Sequence, residues 1–129
     1  MRAKSPKKPN DYRSVARESR AHRSLALKAA RQAGRVLPIF EKEHPDDDRP
    51  RQAIESIRAW ARGKLKLGMA EVRRLSLASH AAARAAKTDA ARFAARAAGQ
   101  AVAVWHVPNH ALAVPYYVRK VIDANKRRG

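Results

Sequence analysis

Histidines and carboxylates are the side chains here with chemistry to offer, because the chain has no cysteine and therefore no thiolate nucleophile or ligand. His106 and His110 stand four residues apart, the interval that lets two imidazoles on one helix face grip a metal ion. His80 lies in an alanine-rich stretch that could approach them, so a three-histidine site at His80, His106 and His110 is conceivable. Pro108 argues against it, since it falls between the pair and breaks the helical turn that the spacing requires. No acid stands where it could orient a ligating imidazole. A hydrogen-bonded structural cluster or a partner-binding pocket is the better expectation for these three residues, with no cofactor. His22 and His44 carry no such signal.

The acids read as structural. Glu55, Glu71 and Asp89 each precede an arginine by three residues, and that pairing lowers a carboxylate pKa on a helix. A general acid needs the opposite shift. Five of the eleven acids fall between Glu41 and Asp48, without the glycine-turned ladder of oxygens that a calcium loop uses. Their expected task is local: Asp48 caps the helix that follows, Pro50 takes an early helical position, and the negative charge suits that helix's N-terminus. Nucleophile elbow, P-loop, dinucleotide fingerprint and HExxH motif are all missing. The chain does not read as an enzyme.

Charge dominates what is left. The net charge is +18, spread as +9 over residues 1–40, −3 over 41–50 and +12 over 51–129. A field of this size attracts polyanions. An acidic protein partner is one expectation. Non-specific nucleic-acid binding through phosphates is the alternative, because the basic helices offer arginine and alanine rather than base-reading residues. Arg58, Arg62, Arg73, Arg84, Arg92 and Arg96 are the candidate contacts. No stretch reaches the ~20 apolar residues of a membrane span, and no apolar run follows the charged N-terminus, so a cytoplasmic protein without membrane insertion is expected. Homo-oligomerisation is left open.

Helices must position these groups. Of all residues 45% are hydrophobic but only 5% aromatic, and alanine, the best helix former, supplies much of the difference. The pattern predicts an all-α protein: a compact bundle of about five helices with a short extra helical segment. A basic, disordered arm is expected over residues 1–11, a single domain over 12–125 and a basic tail over 126–129. The first helix is expected from about Tyr12 or Ser14 to Ala33, followed by the short continuation Val36 to Glu43. Others are expected near 50–62, 69–86 and 109–124, with Pro115 kinking the last. Residues 89–105, capped by Thr88, make a helix of small side chains that belongs in the middle of the bundle, where neighbouring axes can approach closely. Trp60 and Trp105 fall at core spacing.

The segments RPRQAIESIRAWARG (49–63), RRLSLASHAAARAA (73–86) and AARAAGQAVAVWHVPNHAL (94–112) carry a resemblance. With VLPIFEKEHPDDDRPR (36–51), the chain resembles the bacterial immunity-five-like immunity proteins of polymorphic toxin systems over about residues 20–122. The resemblance implies a small all-α domain that binds and neutralises a cognate toxin, and His80, His106 and His110 match its pattern. It brings no catalytic assignment. This chain is more basic than the family pattern leads one to expect, and Pro115 departs from it.

Overall fold

The structure, a computed structural model, describes residues 11–128; beyond its last residue, Asp11, the arm expected over 1–11 lies outside that range. Five helices follow one another without strands among the described residues: α1 (Arg20–Glu43), α2 (Arg49–Ala61), α3 (Met69–Ala85), α4 (Asp89–Ala103) and α5 (His110–Arg128). The all-α bundle expected from the alanine content is the observed fold.

α4 is its axis. It packs against each of the other four helices. Ala90, Ala91, Ala94, Ala95, Ala97, Ala98 and Ala101 are all fully buried, and side chains no larger than a methyl let four helix axes close in around one. Larger groups from the neighbours fill the space between, chiefly Phe40, Ile54, Ile57, Trp60 and Val114. Thr88 caps α4 as expected: its hydroxyl accepts the Ala91 N–H and donates to the Glu43 carboxylate at 2.9 Å. The start of α4 is thereby tied to the end of α1.

α1 differs from expectation at both ends. It begins at Arg20, where Ser19 accepts the His22 N–H, and Glu18 just before it holds a positive φ of 60° that no helix tolerates. It then runs unbroken through Gly34 and Pro38 to Glu43, so residues 36–43 prolong α1. Pro38 deprives only Gly34 of its amide partner, a loss that packing on Val36, Leu37 and Phe40 offsets. Residues 12–19, expected to be helical, form turns that strap the α4–α5 corner. There Tyr12 N–H donates to Asn109 Oδ1 at 2.6 Å. Arg17 donates to the carbonyls of Trp105 and His106, with its guanidinium 4.8 Å from the Trp105 ring centre.

Other corrections are smaller. Asp48 occupies the N-cap position of α2 but makes no capping bond. It accepts from Gln52 Nε2, while Asp47 takes the Arg49 N–H and the Arg49 guanidinium. α4 ends at Ala103, two residues early, and Trp105 closes the turn beyond it. α5 continues through Arg128 despite Pro115, so Lys126 and Arg127, assigned to a basic tail, belong to a helix. Gly63, with φ of 74°, ends α2: its N–H bonds Trp60 O and the Lys64 N–H bonds Ala59 O, a pairing that needs a left-handed residue.

Candidate partner-binding groove

α3 and α5 both pack on α4 but not on each other. The result is a groove floored by α4 and walled by the other two. After Asp89, the α4 residues that reach solvent are Arg92, Phe93, Arg96 and Gln100, so two candidate arginines lie on this floor. At a rise of about 1.5 Å and 100° per residue, Arg73, Ser76, Leu77, His80 and Arg84 share one face of α3. That face forms the wall.

Floor and walls are joined by polar contacts. Arg96 Nη1 lies 2.9 Å from His80 Nδ1. A guanidinium can only donate, so Nδ1 accepts and the proton of the neutral ring sits on Nε2. His80 lies with its ring face against Gly99: a Cβ there would lie 2.7 Å from His80 Nε2 and 2.8 Å from Cε1. Burial, then the charges of Arg96, Arg84 and His110, push its pKa down to about 4, so the ring is uncharged at neutral pH. Across the groove His110 Nδ1 meets Gln100 Oε1 at 2.7 Å; burial first, then His106, lowers its pKa. Ser76 and Ser79 donate to the carbonyls of Gly99 and Ala95, holding α3 close along α4.

Where α3 begins, the groove deepens. Met69, Val72, Arg73, Leu77, Ala103 and His106 line a space of about 150 Å³, the size of cavity that accepts a benzene ring. Leu77 is 60% exposed and Met69 38% exposed. Bare leucine and methionine between arginines on a wall with a vacant side suit a protein contact.

Of the residues singled out in the sequence, the structure brings together Arg73, Arg84, Arg92, Arg96, His80, His106 and His110. Arg92 is paired with Asp89 at 2.8 Å; Arg73 and Arg84 are exposed without an ion pair among the described residues. Arg58 lies elsewhere, its Nη2 set against Gly34 of α1. Arg62 ends α2, exposed and without a link to the groove. The three histidines form a polar string, and among the described residues no group of three His, Cys, Asp or Glu is arranged to hold a metal ion. Glu71 is bound by Arg74 at 2.7 Å and held below the usual carboxylate range by that contact.

Two groups escaped sequence reasoning. His22, set aside there, is buried: Nδ1 accepts the Glu18 N–H at 2.9 Å, Nε2 meets Val104 O at 2.8 Å, and the ring stands edge-on to Trp60. Its place on the apolar stripe of α1 was the available clue. Gly99 gave none, because a glycine's neighbour across a helix pair is a tertiary fact.

The match to known families covers this whole assembly. A family model described as "Imm-5 like putative immunity protein" spans residues 16–128. The chain belongs to that family. No curated protein and no solved structure matches it. All five helices of this immunity-family protein, and every groove residue named above, fall within the matched span. No described helix is long and apolar enough to cross a membrane.

Proposed function

We propose that this protein is a non-enzymatic immunity protein that neutralises a cognate toxin by binding it, and that the α3–α4–α5 groove is the contact surface. Membership of the family supports the toxin as partner. The observation that carries the surface is the exposed Leu77 and Met69 set among Arg73, Arg84 and Arg96 on one wall and floor. Apolar groups supply buried area at the centre of such a contact, and the cations around them select an acidic partner and speed its arrival. A purely phosphate-binding surface would have no use for the leucine and methionine, which favours protein over nucleic acid.

Co-expression with the product of the neighbouring gene, followed by co-purification at about 50 mM and about 200 mM salt, tests the reading. Retention of a complex and rescue of growth from that product support it. No protein partner at any ionic strength, together with salt-steep binding to random duplex DNA, replaces it with the nucleic-acid reading.

A further inference from the structure

The groove is chemically uneven along its length. At the Met69 end, level with Arg73, it is a pocket in which Met69, Val72, Leu77 and Ala103 meet the polar Ser76 and His106. One face-repeat further along α3, His80, Arg84 and Arg96 converge: Arg96 holds His80 Nδ1, which leaves the His80 Nε2–H as a donor with both arginines beside it. Seven residues separate Arg73 from His80, so pocket and donor cluster lie about 10 Å apart at the helical rise. No carboxylate among the described residues pairs with Arg84 or Arg96. Glu71, the acid on this helix, is occupied by Arg74.

We infer that the groove recognises an acidic segment of the partner protein in which a large apolar side chain and a carboxylate lie about 10 Å apart. The apolar group seats between Met69, Leu77 and Ala103, and the carboxylate takes the Nε2–H of His80 and the guanidinium groups of Arg84 and Arg96. The inference rests on the partner-binding reading and names the epitope that reading requires. A polyproline II segment turns once every three residues and advances about 3.1 Å per residue, so two groups three residues apart lie on one face at about that separation. A helical segment would place them two turns apart. The cluster suits a carboxylate because the neutral imidazole and the guanidinium groups offer only donors toward it. The pocket suits phenylalanine or leucine because Leu77 and Met69 present exposed methyl and thioether groups to it.

Synthetic Gly/Ser peptides provide the probe, one carrying Phe and Glu three residues apart, one with the two adjacent, and one with Lys in place of Glu. Isotope-labelled full-length protein is titrated with each at millimolar peptide. The spaced Phe/Glu peptide is expected to shift the Leu77 and Ala103 methyl signals and the His80 ring signals together, at least about fivefold more tightly than either control. Leu77→Ser should remove that preference without altering salt dependence, whereas Arg84→Ala should weaken binding and flatten the salt dependence. Both side chains are exposed, so the fold survives. Equal binding of the Lys peptide overturns the inference. So do shifts confined to the α1–α5 groove around Gln32 and Pro115, or no shifts. A captured toxin indifferent to Leu77→Ser and Arg84→Ala also overturns it while leaving the toxin-binding reading intact. A protein that takes the spaced peptide but captures no toxin upholds the groove's chemistry and sinks the toxin.

Discussion

Gly99→Ala should change the sign of its effect according to the residue at position 80. Gly99 sits inside α4, where alanine is preferred over glycine by about 0.5–1 kcal/mol. In the native background the new Cβ would fall 2.7 Å from His80 Nε2, 2.8 Å from Cε1 and 3.0 Å from Cδ2, closer than van der Waals contact allows. The imidazole cannot simply swing aside, because Arg96 holds its other nitrogen at 2.9 Å and the Ser76 and Ser79 bonds fix α3 against α4. Overpacking of this kind costs about 1–3 kcal/mol, and loss of a partly exposed charge-assisted bond adds about 1 kcal/mol. Gly99→Ala alone should therefore destabilise the protein by about 1–3.5 kcal/mol after the propensity gain is subtracted. With His80→Ala the obstacle is gone, and Gly99→Ala should stabilise by about 0.5–1 kcal/mol. Equilibrium urea unfolding of the four proteins, followed by circular dichroism, should yield a coupling of about 1.5–4.5 kcal/mol. If Gly99→Ala stabilises both backgrounds, or the coupling is under about 0.5 kcal/mol, the close approach of His80 is not what keeps glycine there.

The same histidine should give stability a pH dependence. Its folded pKa of about 4 lies below the ordinary 6.5, so the neutral ring favours the folded state fully above about pH 6.5, and that contribution is lost as pH falls toward 4. Discounted for partial exposure, the loss amounts to about 1–2 kcal/mol; His80→Asn, which keeps an acceptor for Arg96 but does not titrate, should flatten the decline in denaturant titrations at stepped pH. Arg17→Ala should cost about 1–2 kcal/mol through loss of two carbonyl contacts and the stacking on Trp105, and amide exchange at the α4–α5 corner should accelerate; unchanged exchange there would refute the strap. His22→Ala leaves a buried void and strands the Val104 carbonyl, and should lower the unfolding midpoint by about 3 kcal/mol of stability. Thr88→Ala removes both the α4 cap and the tie to Glu43, for about 1–2 kcal/mol by thermal or chemical denaturation.

Much of the architecture was readable in the residues themselves. Alanine content and helical periodicity are local properties, so the all-α class, the approximate span of α2, α3 and α4, the Thr88 cap and the Gly63 stop could be read from neighbours a few positions apart. The central place of α4 also followed, because only a helix without bulk can be surrounded. Where a helix begins is decided by competition, and there local reasoning fell short: Val15 fits the apolar stripe, but residues 12–19 gain more by binding Asn109, Trp105 and His106 than by extending α1. Pro38 and Pro115 both stand inside helices that run on past them, because packing outweighs one lost backbone bond at each.

For the candidate site, the sequence supplied the side chains and the tertiary structure supplied the grouping. Charge alone nominated six arginines; contact between helices set four of them around one groove and left Arg58 against Gly34 and Arg62 at the end of α2. The spacing of His106 and His110 raised a metal, but each imidazole nitrogen's role is set by what another helix brings to it. Arg96 makes His80 an acceptor at Nδ1, and Gln100 meets His110. Residue types are written in the chain, and a groove exists only because α3 and α5 share α4 without meeting each other, which no stretch of sequence shorter than the whole fold can express.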